Sequence, residues 1–346
     1  LRVTLTELHV AVEWLPSEKR LAQFRHAHPA QRYVVTGFIA RRLSDERITT
    51  LGRNGSDYSA SIFGALFDAA EIHIWTDVDG VLSADPRRVP EAMVLDHVSY
   101  EEAFELAYFG AKVIHPQTMA PATAKGIPVF IRNTFNPTHP GTRIDAAGGN
   151  DPPIKGITTI GGMAIVTIEG AGMIGVHGTA ERVFAALRDA KVSVTMISQG
   201  SSEHSICCVI KAEDADLARN VLADSFAREI ARGQIQRVMS ERGISVLAVV
   251  GDGMAGTPGI CALLFNALGR AKVNVRAIAQ GSSERNISVA IAEGEATRAL
   301  RAVHAGFYLS AQTLSIGIIG PGHVGRALLQ QIADARARLL RENHLD

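Results

Sequence analysis

Over the first 145 residues the apolar positions alternate between two spacings. Tyr33-Val34-Val35-Thr36-Gly37-Phe38-Ile39-Ala40, Ile72-His73-Ile74-Trp75-Thr76 and Ile127-Pro128-Val129-Phe130-Ile131 are short apolar runs that predict strands. Pro128 predicts a strand start or a sheet edge, because proline cannot donate to a ladder. Between the runs, Ile62, Ala65, Leu66 and Ala69 recur at helical spacing after about Tyr58. Ala103, Phe104, Ala107 and Tyr108 do so within Tyr100–Phe109. Strand and helix in alternation predict a layered α/β domain.

The stretch from Asp145 to Pro153 is polar, rich in glycine and proline and without period, so it reads as a linker. Beyond it the chain repeats itself. Ala190-Lys191-Val192-Ser193-Val194 matches Ala271-Lys272-Val273-Asn274-Val275, and Gln199-Gly200-Ser201-Ser202-Glu203 matches Gln280-Gly281-Ser282-Ser283-Glu284. Both pairs stand 81 positions apart (190 to 271, 199 to 280), which marks an internal duplication. Each copy runs from an apolar strand (Ala164–Ile168; Val246–Val250) through a glycine-rich loop to a helix. The helices carry Val183, Phe184 and Leu187 in one copy and Ile260, Leu264 and Leu268 in the other. A strand, the Gln-Gly-Ser-Ser-Glu turn, another strand and a second helix follow. This is a βαββαβ order, in which two helices cover one face of an antiparallel sheet.

The last stretch, Ser315-Ile316-Gly317-Ile318-Ile319, leads into Gly320-Pro321-Gly322-His323-Val324-Gly325 and a helix through Ala327, Leu328 and Ile332. Strand, Gly-x-Gly-x-x-Gly and helix in that order form a dinucleotide fingerprint at Gly320, Gly322 and Gly325. One such βα unit neither binds a dinucleotide nor forms a core. The fold class is therefore α/β, in four parts. They are an αβα part (1–145), a linker (146–154), a tandem α+β pair (155–312, copies at about 160–230 and 244–310) and the opening of a Rossmann unit (313–346).

Composition narrows the function. Lysine plus arginine and aspartate plus glutamate number 35 each, so no large charged footprint for nucleic acid or an anionic membrane is expected. No run reaches the ~18 apolar residues that cross a bilayer. The opening Leu1-Arg2-Val3-Thr4-Leu5 has neither a methionine nor the pattern of a signal peptide. Cys207, Cys208 and Cys261 make no disulfide framework and suit a reducing cytoplasm, with neighbours Cys207 and Cys208 on opposite strand faces. The 12 histidines show no metal-ligand spacing.

Three segments carry candidate chemistry. Thr49-Thr50-Leu51-Gly52-Arg53-Asn54-Gly55-Ser56-Asp57 joins a strand to a helix. Its glycines let backbone amides approach an anion, and Arg53 adds a cationic fork. Ser56 and Asp57 alternatively serve as helix caps. Thr76-Asp77-Val78-Asp79-Gly80-Val81-Leu82-Ser83-Ala84-Asp85-Pro86-Arg87 follows a strand's carboxyl end, where open α/β sheets hold ligands; a plain polar turn is the alternative. Phe109-Gly110-Ala111-Lys112-Val113-Ile114-His115-Pro116 places a lone cation, Lys112, after an apolar face.

Together these segments resemble the aspartokinases of the amino-acid kinase family, and the duplicated block resembles their paired ACT regulatory domains. The final block resembles the opening of homoserine dehydrogenase, an order found in the bifunctional enzymes. The resemblance implies transfer of the ATP γ-phosphoryl group to the β-carboxylate of L-aspartate, the first step toward threonine, methionine and lysine. It implies that Arg53 holds an aspartate carboxylate with Asn54, Gly55, Ser56 and Asp57 beside it. Thr76, Asp77, Leu82, Arg87, Lys112 and Val113 are then expected to face ATP, which arrives with Mg²⁺. Arg53, Ser56, Asp57 and Lys112 form the expected catalytic group. Asn54 stands where many relatives have glycine, and asparagine tolerates left-handed backbone angles. The family's Lys-Phe-Gly-Gly-type segment is not found in this sequence, so this chain alone is expected to have little or no kinase activity. NAD or NADP is expected only for a dehydrogenase part. The ACT pair implies association into a homo-oligomer and feedback by an amino acid, threonine in bifunctional relatives. Gln199 and Gln280 match effector-binding glutamines, and Ser193 and Asn274 are further candidates. A repeated polar turn accounts for the same motif. A stand-alone ACT regulatory module and a monofunctional aspartokinase remain as alternatives.

Overall fold

A computed structural model describes residues 1–5, 10–52, 54–109, 116–149, 152–308, 319–320 and 322–343. The chain begins with β1 (Arg2–Leu5), β2 (Val10–Val12), α1 (Trp14–Ala27), β3 (Ile39–Arg42), β4 (Ile48–Thr50) and α2 (Gly55–Phe67). The four strands form one sheet in the order β2-β1-β3-β4. The predicted strand over Tyr33–Ala40 is largely absent. Phe38 takes a left-handed φ of 72°, which breaks the extended run, so pairing starts only at Ile39. Tyr33 instead stacks on Phe67, and its hydroxyl donates to the His28 carbonyl at 3.0 Å.

The second sheet is built from β5 (Ile72–Thr76), β6 (His97–Ser99), β7 (Val129–Asn133) and β8 (Thr142–Asp145), with α3 (Tyr100–Tyr108) and α4 (Pro116–Lys125) between β6 and β7. Its order is β5-β7-β8-β6. Pro128 stands just before β7, and its carbonyl accepts the Ile72 N–H at 2.9 Å. It thus marks a strand start; β7 itself is interior to the sheet. Ser99 caps α3 reciprocally with Glu102, the Ser-x-x-Glu box that fixes a helix start.

Asp145 ends β8 and holds the following turn. Its carboxylate takes His97 Nε2 at 2.8 Å, Arg143 Nε at 2.6 Å and the N–H groups of Ala147 and Gly148. Burial opposes its charge, but these donors outweigh burial and pull its pKa down to about 2. A carboxyl whose folded pKa lies below its unfolded one adds stability that is present above about pH 4 and is lost as pH falls toward 2. Asp145→Asn is expected to remove about 2 kcal/mol of that pH-dependent stability, so acid titrations of the two proteins converge near pH 2. Parallel curves between pH 5 and 2 contradict this.

The duplicated block comprises β9 (Gly156–Glu169), α5 (Thr179–Asp189), β10 (Val194–Gln199), β11 (Ser205–Lys211), α6 (Ala215–Ser225), α7 (Ala227–Ala231), β12 (Arg237–Val250), α8 (Ile260–Arg270), β13 (Val275–Gln280), β14 (Asn286–Ala292) and α9 (Ala296–Tyr308). All six strands share one sheet, ordered β10-β11-β9-β12-β14-β13. The first copy has the predicted order, with the front half of β12 as its fourth strand. The second copy does not. Its fourth position is filled by the front half of β9, where Gly156–Ile160 pairs with Val246–Val250. That strand precedes the first copy, so one copy is threaded inside the other.

Gly162 (φ 69°) and Gly243 (φ 72°) sit where β9 and β12 cross from one copy to the other, and the ladder slips between Arg242 and Val246. The sheet folds there, and its edge strands β10 and β13 approach each other. Met163, Ile165, Met196 and Val209 from one half meet Val246, Ala248, Ala277 and Ala290 from the other in an inner core. Outside it, α5 and α6 cover the first half through Val183, Leu187, Ala218 and Leu222. The helices α8 and α9 cover the second through Leu264, Leu268, Ala299 and Val303. Cys207 and Cys208 face opposite sides, as their adjacency predicts. Cys208 is buried under the helices, and burial pushes its thiol up to about 12.

The last element, α10 (His323–Asn343), follows Gly320 and Gly322. Gly320 has φ 81°, and Gly322 N–H donates to its carbonyl at 2.8 Å, so the turn and helix of the fingerprint are present. The predicted strand before it lies outside the described residues apart from Ile319. No helix among the described residues is long and apolar enough to cross a membrane.

Candidate functional site

The loop after β5 is held from several sides. Thr76 donates its hydroxyl to Asp77 Oδ1 at 3.1 Å, while its carbonyl accepts the Thr134 N–H at 2.9 Å. Asp79 accepts from the side-chain amides of Asn133 (2.8 Å), the last residue of β7, and Asn136 (3.1 Å), just beyond it. Those donors lower its pKa. Gly80 then passes so close to β8 that a Cβ would lie 2.3 Å from Thr142 Oγ1. Thr142 Oγ1 accepts the Val81 N–H (2.8 Å) and donates to the Leu95 carbonyl (2.6 Å), tying both arms of the loop to the sheet. Leu82 bridges to Val94 and is half-buried. Arg87 is exposed and clasps Asp85 with two hydrogen bonds, Nε to Oδ1 at 3.0 Å and a terminal nitrogen to Oδ2 at 2.8 Å. A phosphate here has to compete with that carboxylate for the guanidinium.

At the start of α2, Asn54 has φ 55°, the left-handed angle that asparagine tolerates. Asn54 is the cap residue, and neither Ser56 nor Asp57 caps the helix. The exposed Ser56 hydroxyl donates to Asp57 Oδ1 at 3.3 Å, and burial pushes the Asp57 carboxyl up. Sequence reasoning missed Ser59. Its hydroxyl accepts the Phe38 N–H (2.8 Å) and donates to the Gly55 carbonyl (2.6 Å), tying the residue before β3 to the first turn of α2. Its i+4 spacing from Gly55 was the available signal. Arg53, Lys112 and Val113 lie outside the described residues. Among the described ones, no hydrogen bond or ion pair joins the α2 start to the β5 loop.

In the first copy, the loop after β9 and the start of α5 border a cavity of about 240 Å³ lined by His177, Thr179, Gln199 and Glu203, among others. Glu203 takes a left-handed φ of 57° and accepts the Gly175 N–H at 3.0 Å. Its duplicate Glu284 repeats this with Gly256 at 2.7 Å. The glutamate of the repeated Gln-Gly-Ser-Ser-Glu motif is therefore a staple for the glycine-rich loop in both copies. Gln280 accepts from the Cys261 thiol at 3.6 Å, whereas Gln199 faces the cavity. Ser193 lines a different hollow, beside Tyr108, Lys211 and Glu213, and Asn274 is exposed just before β13. Gln199 is thus the candidate effector residue placed at the first copy's loop, with Ser193 apart from it.

The two halves are joined by contacts that the sequence did not signal. Ser83 Oγ lies 2.9 Å from His304 Nε2, Ser99 Oγ donates to Asp252 Oδ2 at 2.5 Å, and Glu102 Oε1 accepts the Asp252 N–H at 2.7 Å. Asn286 donates to Glu105 Oε2 at 2.7 Å. Both the β5 loop and α3 are thereby docked on the second copy.

The amino acid kinase family profile matches residues 4–133, and the ACT domain profile matches 166–226 and 247–307. A bifunctional aspartokinase/homoserine dehydrogenase 2 of Zea mays is 47% identical over 336 residues, 96% of this chain. This chain is similar to aspartokinases over nearly its whole length. A bifunctional relative from Haemophilus influenzae is 42% identical over 90% of the chain. The chain spans 36% of the maize protein's length and 38% of the bacterial one's. Among solved aspartokinases, the Clostridium acetobutylicum enzyme superposes with a TM-score of 0.75 at 29% identity, covering 86% of this chain and 67% of its own. Aspartokinase III of E. coli, in complex with aspartate and ADP, gives 0.71 at 27%, covering 89% and 68%.

Proposed function

We propose that this chain carries the nucleotide side and the amino-acid-sensing pair of an aspartate kinase, which moves the ATP γ-phosphoryl group to the β-carboxylate of L-aspartate. The observation that carries the reading is the β5 loop. It bears the family's Thr-Asp-Val-Asp-Gly segment and is docked on an ACT pair whose first copy keeps an open, glutamine-lined cavity. In this reading Thr76, Asp77, Leu82, Arg87, Lys112 and Val113 meet ATP, and Mg²⁺ arrives with the nucleotide. Arg53, with Asn54, Gly55, Ser56 and Asp57, holds aspartate. Phosphoryl transfer then rests on positioning and charge neutralisation. Arg53 and Lys112 supply the cations, and the raised pKa of Asp57 suits a carboxyl close to an anionic substrate.

The effector is an amino acid, with threonine the one we assign. Gln199 is its anchor, and Gln280, Asn274 and Ser193 are secondary contacts, in part through association of ACT pairs into a homo-oligomer. Gly320, Gly322 and Gly325 belong to the start of an NAD- or NADP-binding homoserine dehydrogenase part. The unpaired cysteines suit a reducing cytoplasm. The test is aspartyl phosphate formation, trapped as hydroxamate, by the full-length protein with Mg·ATP and L-aspartate. Threonine is expected to suppress it, and Gln199→Ala to shift the half-inhibitory concentration upward by about ten-fold. Unchanged inhibition removes Gln199 from the effector site.

A further inference from the structure

Ser83 is fully buried in the middle of the β5 loop, and every polar group it has is engaged. Its N–H donates to the Met93 carbonyl (2.8 Å), and its carbonyl accepts the Ile157 N–H (2.8 Å) from the front of β9. Its hydroxyl accepts the Met93 N–H (2.9 Å) and meets His304 Nε2 (2.9 Å). Because the hydroxyl already accepts, its proton is free to donate to the imidazole nitrogen. His304, only 2% exposed on α9, stacks on Tyr308 at 4.6 Å, and the Tyr308 hydroxyl donates to the Ile154 carbonyl at 2.7 Å. Ile154 leads back to Ile157, so the contacts close into a ring of loop, helix and strand.

Five residues on, Arg88 fastens the same loop to the same helix. Its Nε donates to Thr297 Oγ1 (3.1 Å), its carbonyl accepts Arg301 Nε (2.5 Å), and it also bonds Thr159. The duplication shows which of these residues the ACT fold needs. Shifted by 81 positions, the core of α9 matches that of α6: Ala296 with Ala215, Ala299 with Ala218, Val303 with Leu222, all buried. The residues touching the loop do not match. Thr297, Arg301 and His304 stand opposite Asp216, Asn220 and Ala223, and Tyr308, which stacks behind His304, stands opposite Ala227. The fold is satisfied without them; the loop contact is what they serve.

We propose that His304 is a positioning residue for the nucleotide-side loop: through Ser83 it holds residues 81–95, and with them Arg87, in place against the second ACT copy. The helix that covers the regulatory sheet is then the same helix that sets the shape of the loop. The nucleotide half of this proposal rests on the kinase reading above; the loop-ordering half does not.

Hydrogen exchange on the 346-residue chain, with Mg·ADP titration alongside, tests both halves. In His304→Ala, and in the one-atom deletion Ser83→Ala, the amides of Ser83, Met93 and Leu95 are expected to exchange about ten-fold faster, with α5 and α6 unchanged. His304→Gln, whose amide oxygen can replace Nε2 as acceptor, is expected to restore most of the protection. Mg·ADP affinity is expected to fall several-fold in the alanine variants and to recover with glutamine. Unchanged exchange in both alanine variants overturns the proposal. Faster exchange that glutamine does not rescue also overturns it, because simple loss of packing then suffices. If the unaltered chain fails to bind Mg·ADP, the nucleotide reading fails, while the exchange data still decide the positioning role.

Discussion

Glu102→Ala is expected to destabilise the chain by about 3 kcal/mol, the largest single loss among charged positions. Glu102 is 1% exposed, yet it carries a carboxylate. Burial raises its pKa, and two backbone donors and the nearby Lys155 oppose that rise. One oxygen accepts the Ser99 N–H at 2.8 Å and completes the cap of α3; the other accepts the Asp252 N–H at 2.7 Å from the second ACT copy. Alanine leaves both N–H groups inside the interface without an acceptor. It also leaves Asp252 facing Ser99 without its neighbour's restraint. Thermal unfolding should show a drop of several degrees, with faster exchange confined to α3 and the turn at residues 251–254. A melting temperature within a degree of the parent refutes this picture of the interface. Glu102→Gln keeps one acceptor and should fall between the two.

The second large effect is at Gly80, and it strikes the β5 loop without removing any polar group. The residue has φ 157°, and a Cβ would stand 2.3 Å from Thr142 Oγ1, 2.8 Å from Val94 Cγ1 and 3.1 Å from the Thr142 nitrogen. Thr142 Oγ1 makes the two bonds that close the loop, so it cannot retreat without breaking both. Gly80→Ala is expected to cost about 3 kcal/mol and to weaken Mg·ADP binding by at least about ten-fold. Gly126→Ala is the control. Gly126 has φ 66° but nothing within 4 Å of its Cβ direction, so backbone strain alone should cost about 1 kcal/mol. Equal losses at the two sites would show that strain, and not the Thr142 clamp, governs the loop.

Local patterns in the sequence carried the elements that local chemistry decides. Ile72–Thr76 is the predicted strand to the residue, and α3 starts at Tyr100 because Ser99 and Glu102 cap it within one turn. The failure at Tyr33–Ala40 is equally local in cause but was hidden. Only the left-handed Phe38, held by Ser59 from a helix 21 residues on, ends the run early. The threading of one ACT copy inside the other could not be read at all. The duplicated strands align at Ile165 and Val246, while the strand that completes the second copy is a short Gly-Ile-Thr-Thr-Ile stretch before the first. Candidate site residues followed the same division. Thr76, Asp77 and Arg87 were legible because their motif is contiguous. Ser83 with His304 and Ser99 with Asp252 were not, since 221 and 153 positions separate the partners. Yet the repeat held a clue, because it fails at Asp252 and His304, where the first copy has Ala171 and Ala223.

Under the proposed function, the first ACT copy of this chain binds a regulatory amino acid. Calorimetric titration of the 346-residue chain with L-threonine tests it most directly. The account predicts saturable binding to the unaltered chain, abolished or weakened at least about ten-fold by Gln199→Ala and by Glu203→Ala, which frees the Gly175 loop. Absence of threonine binding to the folded chain, or binding indifferent to both substitutions, contradicts it.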